Sequence, residues 1–138
     1  MASGRAEIEF VDADGRTRLA HLYQSDPLRI LFPNAGPGEP ETGTLVTTSG
    51  GLVGGDTLSI DVRCGPGAVG RIVGQAAEKI YRSTGEDVRI DMSLTAETGS
   101  WLEWLPQETI IFDTARLRRR TILEVAPGAR ALTGEIIV

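Results

Sequence analysis

The sequence predicts an all-β fold made of stacked β-coils, a β-helical or solenoid-like arrangement with short helical content at most. Three observations predict it. The 17 glycines and 7 prolines are spread along all 138 residues, so they separate many short elements. The segments between them alternate apolar and polar residues with the period of two that strands require. A unit of strand, glycine turn and strand also recurs in the second half of the chain, as in repetitive β folds.

The first third of the chain predicts a hairpin, a short strand and a loop. Residues 6–23 alternate apolar and polar on both sides of Asp14 and Gly15, a dipeptide that suits the positive φ angles of a two-residue hairpin turn. PLRILFP (27–33) is predicted to be a short strand between prolines. NAGPGEPETG (34–43) is predicted to be a surface loop because turn-forming residues dominate it.

The chain repeats itself from about residue 60 onward. Aligning Gly67, Gly99 and Gly128, about 30 residues apart, superimposes IDVRCGPGAVGRIVG, MSLTAETGSWLEWLP and TILEVAPGARALTGE. Each unit reads as two strands joined by a tight turn, and such a unit can bury its apolar face only against its neighbours. The aligned positions are Val62, Leu94 and Leu123, then Cys64, Ala96 and Val125, then Ile72, Trp104 and Thr133.

Two alternatives to this interpretation follow from the same residues. A β-meander whose hairpins share turns of the PGA type would show a similar pattern. Residues 75–82, QAAEKIYR, could form a short helix, since alanine, glutamate and lysine tolerate helices. The equivalent segment of the next unit, PQETIIF (106–112), is rich in β-forming residues, so we predict a strand at 75–82.

Length, charge and cysteine content limit the class of protein. The chain is long enough for one core, and we expect a single domain over residues 1–138. A net charge of -5 and a pI of about 4.9 argue against nucleic acid or an anionic membrane as a partner. No apolar run reaches the length of a membrane helix. Cys64 is the only cysteine, so no intrachain disulfide can form, which fits a cytoplasmic protein. Cys64 and the only histidine, His21, are too few ligands for a zinc site within one chain.

The glycine motif SGGLVGGD (49–56) raises the question of a phosphate site. It lacks the lysine of a P-loop and precedes a strand-like segment, whereas a dinucleotide fingerprint opens a helix. The glycines are better explained by positive φ angles or by close approach to another segment. In that case Asp56 accepts hydrogen bonds from backbone N–H groups of the turn. The other interpretation is that Asp56 is an acidic residue on the wall of a functional site.

The carboxylates supply the one enzymatic alternative, a β-helical carbohydrate-active hydrolase that uses Glu103 or Glu108. These residues are separated by an odd number of positions, so on a straight strand they face opposite sides unless Pro106 bends the chain. A Ser/His/Asp triad is not expected, because His21 is the only imidazole.

A basic run and a set of aromatic residues complete the candidates. Alternate arginines of the run share one face of a strand, which predicts a solvated edge that discourages strand pairing or, otherwise, a docking stripe for an acidic partner. We interpret the aromatic residues as core or turn packing. The arginines are Arg116, Arg118, Arg119 and Arg120, and the aromatic residues are Tyr81, Trp101, Trp104 and Phe112.

Four motifs in a fixed order carry a resemblance to a known family. SGGLVGGD, PGA, AEKIYRS and LEWLPQETIIFD together resemble the urease accessory protein D family, which is called UreH in some bacteria. The N-terminal DGRTRLAHLYQSDPLRILFP adds to the match, which runs from about Glu7 to Val138. WLPQETIIFD is the most distinctive of these motifs.

The resemblance implies a function that composition does not. Members of the family look like non-enzymatic β-helical scaffolds that bind apo-urease and act with the accessory proteins F and G to insert nickel. It implies no tightly bound cofactor, with nickel at most in transit through an interior tunnel. Asp56 and Glu108 are the family-matching acids we expect to line such a tunnel, and capping of backbone N–H groups is the alternative role for both.

The resemblance also implies motif residues and a length. Family members usually run to about twice this length, so we interpret the chain as the N-terminal part of a longer fold and expect an unpaired apolar edge at residues 134–138. The motif residues that match the family, as interface or packing, are Gly50, Gly51, Gly54, Gly55, Lys79, Tyr81, Arg82, Trp104, Pro106, Gln107 and Phe112.

Overall fold

The computed structural model describes every residue from Met1 to Val138 and contains strands but no helix, so the all-β prediction is confirmed. No helix long and apolar enough to cross a membrane is present. The strands are β1 (Ser3–Ala13), β2 (Arg16–Gln24), β3 (Leu28–Leu31), β4 (Glu41–Thr47), β5 (Thr57–Cys64), β6 (Val69–Gly74), β7 (Glu78–Ile80), β8 (Val88–Ala96), β9 (Trp101–Leu105), β10 (Thr109–Ile111), β11 (Leu117–Val125) and β12 (Arg130–Thr133).

Two large mixed sheets hold most of the strands. Sheet A has the order β11-β8-β5-β1-β2, and sheet B has the order β12-β9-β6-β4-β3. Within each sheet the pairing is parallel except at one edge, where β1 pairs with β2 and β4 pairs with β3 in the antiparallel sense. Strands that follow one another in the chain after β4 therefore lie in different sheets, which the alternative of a β-meander does not describe.

The hairpin and strand predictions for the first third are confirmed. β1 and β2 pair antiparallel around Asp14 and Gly15, whose φ angles are 54° and 79°. β3 lies within PLRILFP, and the connection from β3 to β4 is a loop that ends where β4 begins at Glu41.

The register confirms the alignment of the three repeat units. β5 pairs with β8 and β8 with β11, so that Leu94 lies opposite both Val62 and Leu123, and Ala96 lies opposite both Cys64 and Val125. In sheet B, Trp104 lies opposite both Ile72 and Thr133. The three aligned glycines each adopt a positive φ, of 73° at Gly67, 72° at Gly99 and 77° at Gly128.

A small sheet C completes the arrangement. It consists of β7 and β10 in parallel, and single bridges from Leu52 to Ile80 and from Thr109 to Ile137 add one position on each side. The strand predicted at 75–82 is confirmed only for Glu78–Ile80, as β7, with a single bridge at Arg82; residues 75–77 are not part of a strand. Residues 136–138 pair with β10 on one side only, and their side chains remain exposed.

The apolar core is a single cluster drawn from the inward positions of sheets A and B. Burial alternates along β5 and β8, so that every second side chain is buried, as expected for strands with one face inward. Ile8, Phe10, Val62, Ile72 and Leu94 are among the fully buried side chains. A partly open pocket lies between the sheets and is described with the site.

Candidate functional site

Three of the four family motifs meet at sheet C and form what we call the motif corner, residues 50–56, 78–83 and 107–113. The backbone joins them directly: the Leu52 N–H donates to the Lys79 carbonyl at 2.8 Å, and the Tyr81 N–H donates to the Leu52 carbonyl at 2.9 Å. The Phe112 N–H donates to the Ile80 carbonyl at 3.0 Å. Segments as much as 60 residues apart in sequence are therefore neighbours in one small sheet.

The glycine motif is a close-packed turn in this structure. A Cβ atom on Gly51 would overlap the ring of Tyr81, and one on Gly54 would overlap Ser83. Gly50 and Gly55 have positive φ angles of 74° and 93°, which L side chains rarely adopt. The glycines thus let the 50–56 loop lie directly against the 81–86 segment, and no helix follows the loop to bind a phosphate.

Asp56 caps this loop. Its side chain is buried, with Oδ1 accepting the Ala2 N–H at 2.8 Å and Oδ2 accepting the Val53 N–H at 2.9 Å. Both carboxylate oxygens are therefore used by backbone donors, which is the capping role expected of aspartate in a turn. No group of three or more His, Cys, Asp or Glu side chains is arranged to hold a metal ion. The role of Asp56 as a nickel ligand stays a prediction.

The aromatic and basic motif residues divide into packing and surface groups. Trp104 is buried in the core, and the Tyr81 hydroxyl donates to the Gly50 carbonyl at 3.3 Å. The Tyr81 ring also packs edge-on against Phe112, with 5.0 Å between ring centroids. The other motif residues with large exposed areas on this corner are Lys79, Arg82, Gln107 and Phe112.

A pocket of about 110 Å³, partly open to solvent, lies beside the motif corner. Its walls are apolar where Met92 and Trp104 line it, and polar where Glu78, Thr109 and Arg119 line it. The volume is enough for several water molecules. Asp56 and Glu108 are not among the lining residues, so the acidic group facing this pocket from the motif corner is Glu78.

Glu78 is the residue that sequence reasoning missed. One of its carboxyl oxygens, Oε1, is fully enclosed and has no hydrogen-bond partner. Burial raises the pKa of the Glu78 carboxyl, while a hydrogen bond with Thr47 and the charge of Arg119 act in the opposite direction. Arg119 itself is held by the Thr109 hydroxyl at 2.8 Å. Glu78 and Ile80 share a face of β7, but residues 75–82 show no clear period from which this placement could be predicted.

Glu103 and Glu108 occupy different environments. Glu103 lies buried on β9, opposite Arg71 of β6, and its Oε2 accepts the Arg71 Nε–H at 2.5 Å. Glu108 is half-buried in the connection to β10, and its backbone carbonyl accepts the Glu78 N–H at 2.9 Å. Neither carboxylate lines this pocket.

Cys64 and His21 lie in separate environments. Cys64 is fully buried, and burial raises the pKa of its thiol to about 12, although a backbone hydrogen bond from Gly70 acts in the opposite direction. His21 lies on the exposed edge strand β2, where its Nε2 is 3.0 Å from Glu7 Oε1. Cys64 is therefore a small buried residue of the core.

Arg118, Arg119 and Arg120 lie on β11, an edge strand of sheet A, and Arg116 directly precedes that strand. Arg116 pairs with Asp87 at 2.8 Å, Arg120 pairs with Asp91 at 3.4 Å, and Arg119 pairs with Glu135 at 3.1 Å. Arg118 and Arg120 remain largely exposed. This placement agrees with the interpretation of the run as a solvated edge.

Comparison with known proteins gives one consistent family. The family model described as UreD urease accessory protein matches residues 2–138. The protein named urease accessory protein UreD of Magnetococcus marinus is 50% identical over 135 residues, which are 98% of this chain and 47% of that relative. Those of the same name from Rhodopseudomonas palustris and Brucella suis are 43% and 44% identical, over 99% of this chain and 48% of each relative.

The chain spans about half the length of the curated relatives it matches, and it aligns over nearly all of its own length. Because the family model covers almost every residue, the resemblance inferred from the four motifs is confirmed, and this chain belongs to the UreD urease accessory protein family.

Proposed function

We propose that this protein acts in urease maturation as a non-catalytic scaffold or chaperone. In this role it binds apo-urease and, with the accessory proteins F and G, supports nickel insertion into the urease active site. The observation that carries the proposal is the match to the UreD family over residues 2–138, together with the convergence of three family motifs at one corner of the fold.

The proposed architecture is a set of stacked β-coils over residues 1–138, forming one UreD-like domain. The register supports it, since each repeat unit contributes one strand to sheet A and one to sheet B, in parallel with the next unit. Sheet C adds a third short strand or bridge to each coil, because Leu52 pairs with β7, β7 pairs with β10, and β10 pairs with Ile137. Stacked repeats of this kind build extended surfaces for binding partners.

The proposed partner surface is the exposed side of the motif corner. Lys79 and Arg82 are exposed charged residues, and Gln107 and Phe112 are also exposed. All four belong to the family motifs although none of them is buried in the core. Exposed aromatic and arginine side chains supply much of the energy of protein interfaces. The buried motif residues, such as Trp104, are needed instead for the fold.

Nickel is proposed as a cargo in transit. A site for a departing ion needs a few oxygen ligands and water, without a thiolate cage. Asp56 and Glu108 stay the candidates from the family motifs, and the pocket adds the carboxyl of Glu78 on its wall. The lone buried Cys64 supplies no competing thiolate, and it fits a cytoplasmic location.

The hydrolase alternative gains no support from the geometry. A glycosidase acid or base needs a carboxyl that is free to exchange a proton with the substrate. The carboxylate of Glu103 is instead held by Arg71 on one face of sheet B, while Glu108 lies in a connection.

The experiment mixes this chain in solution with purified apo-urease and accessory protein F from Magnetococcus marinus as probes. We expect a defined complex on size-exclusion chromatography. The double variant Lys79→Glu with Arg82→Glu should weaken it at least tenfold, because two exposed charges are reversed at the proposed surface. The matched control Arg89→Glu reverses an exposed charge on sheet A and should leave binding unchanged. A folded chain that binds neither probe would contradict the proposal.

A further inference from the structure

The edge of sheet A formed by β2 has no neighbouring strand. β2 covers nine residues, Arg16–Gln24, and it is the terminal strand on the side of the sheet opposite β11. It pairs only with β1, so residues 3–24 build this edge. Seven of its nine residues are exposed and the other two are half-buried. β2 is therefore a long strand with one free edge.

The register between β1 and β2 shows which backbone groups are free. Ala13 and Arg16 form the hydrogen-bonded pair that closes the two-residue turn. At the other end, the Ser25 N–H donates to the Arg5 carbonyl at 2.9 Å. Hydrogen-bonded and non-bonded pairs alternate between these ends, with one bulge. The residues of the non-bonded pairs direct their N–H and C=O groups to the open side, and they are Thr17, Leu19, Leu22 and Gln24.

The inward face of β2 continues the apolar core but leaves it partly open. Leu19 lies opposite Phe10, and Leu22 lies opposite Ile8. Phe10 is 0% exposed and Ile8 is 2% exposed, whereas the two leucines are each 38% exposed. An apolar side chain placed beside β2 on this face would remove both leucines from water, which is favourable.

The outward face of β2 is basic. It carries Arg16, Arg18 and His21, and the strand contains no acidic residue. His21 is engaged, because its Nε2 lies 3.0 Å from Oε1 of Glu7. Arg16 and Arg18 are exposed and form no ion pair, and Asp12 of β1 lies on the inward face. Two guanidinium groups are therefore free to pair with carboxylates of another molecule.

We propose that β2 is a docking edge for a partner protein that supplies an extended segment in which acidic and apolar residues alternate. The segment adds a sixth strand to sheet A, and main-chain hydrogen bonds to the free groups of β2 hold it in place. Side chains alternate between the two faces of a strand. The apolar residues of the segment therefore cover Leu19 and Leu22, while its carboxylates lie beside Arg16 and Arg18.

The charge of β2 disfavours a second copy of this chain as the occupant. Two β2 strands side by side would bring four arginines, two from each copy, to one face without a carboxylate on either strand. Like charges across neighbouring strands are destabilising, and opposite charges are stabilising. An acidic segment thus fits the edge that a second β2 does not fit.

The edge has little protection against an acidic, apolar strand. Natural edges are often blocked by inward-pointing charges or by proline. The inward positions of β2 hold leucines instead, and no proline interrupts the strand. Ala20 has no partner in the register with β1, and this bulge adds a local twist that the docked segment has to follow.

The test measures binding of a synthetic peptide to the full chain. The probe is a fluorescein-labelled peptide of alternating glutamate and valine, and the control peptide has lysine in place of glutamate. Fluorescence anisotropy should show saturable binding of the acidic peptide and no binding of the basic one. The double variant Arg16→Glu with Arg18→Glu should weaken binding at least roughly tenfold. Arg89→Glu, at an exposed arginine of β8, should leave binding unchanged.

Two N-methylated peptides separate strand pairing from charge attraction alone. One carries N-methyl groups on its valines and the other on its glutamates, so each lacks the N–H groups along one of its two edges. A peptide paired with β2 uses only one of these edges. One of the two peptides should therefore lose binding while the other retains it. These probes leave the protein unchanged, so the comparison does not depend on how a variant folds.

Three results would overturn the proposal. The first is the absence of saturable binding of the acidic peptide. The second is equal binding within any of the three matched comparisons: acidic and basic peptides, the two N-methylated peptides, or the wild type and the double variant. The third is displacement of the peptide by the second half of the Magnetococcus marinus relative, added as a separate chain, because the longer protein would then cover β2 itself.

Discussion

The ring of Tyr81 packs edge-on against Phe112, with 5.0 Å between their centroids and 86° between their planes. Tyr81 belongs to the AEKIYRS motif and Phe112 to WLPQETIIFD, while Gly51 of the glycine motif lies against the same tyrosine ring. One aromatic side chain therefore joins three family motifs. Edge-to-face pairs of this kind contribute about 0.5–1.5 kcal/mol beyond their buried area.

Replacing Gly51 by alanine should destabilise the fold. Gly51 has a φ of 155°, and an added Cβ would overlap the Tyr81 ring, so the ring or the loop must move. We expect a loss of about 1–3 kcal/mol in the free energy of unfolding, measured by urea denaturation. Gly85→Ala is the control, because an added Cβ there meets no atom within 4 Å and should change stability by less than about 0.5 kcal/mol. Equal effects of both substitutions would contradict the packing role of Gly51.

The repeat was predictable from the sequence, and the motif corner was not. Strand periodicity and three glycine turns at similar spacing place Val62, Leu94 and Leu123 in register without further information. The corner depends on pairs distant in sequence, such as Leu52 with Ile80. Residues 75–82 have no clear period, so the sequence does not show that β7 directs Glu78 into a pocket. Similarly, nothing in the sequence places Ala2 beside Asp56.

Replacing Asp56 by asparagine should weaken the turn even without nickel. One side-chain position then becomes an NH₂ donor that faces a backbone donor, from either Ala2 or Val53. A buried donor left without an acceptor costs about 1–3 kcal/mol. The midpoint of urea unfolding in a buffer with chelator should therefore fall. Asp61→Asn, at an exposed position of β5, should have little effect. A stability loss that appears only when nickel is added would indicate a ligand role for Asp56 in place of a cap.

The thiol of Cys64 should be unreactive in the native protein. It is buried, and a pKa of about 12 leaves a thiolate fraction of about 10⁻⁴ at pH 8, against roughly a quarter for an ordinary cysteine. Labelling with an aromatic disulfide reagent should be slow in buffer and rapid in denaturing urea. The Ser59→Cys variant is the control, because its added thiol on an exposed strand position should label quickly in the native state. Rapid labelling of Cys64 without urea would show that the packing around β5 opens readily.

Glu78 should make the protein less stable as pH rises. Its folded-state pKa is raised by burial above the ordinary value of 4.5, so between the unfolded and folded pKa values the folded state binds more protons than the unfolded state. The free energy of unfolding then decreases with increasing pH in that range. Glu78→Gln, which cannot ionise, should remove this part of the pH dependence. The free energy of unfolding of Glu78→Gln minus that of the wild type should be smallest below pH 4.5 and should grow as pH rises through the folded-state pKa of Glu78.

The measurement is a series of urea unfolding curves from pH 4 to pH 8 for the wild type and Glu78→Gln. Other carboxyls, including Glu7, whose pKa is lowered mainly by its hydrogen bond with His21, are present in both proteins and cancel in the difference. Glu86→Gln, at an exposed glutamate in the connection between β7 and β8, is the control for removing one surface carboxylate. If the difference in unfolding free energy between Glu78→Gln and the wild type does not change with pH, Arg119 and water in the pocket fully compensate the buried carboxylate. A difference that instead shrinks with rising pH would mean that they stabilise its charged form.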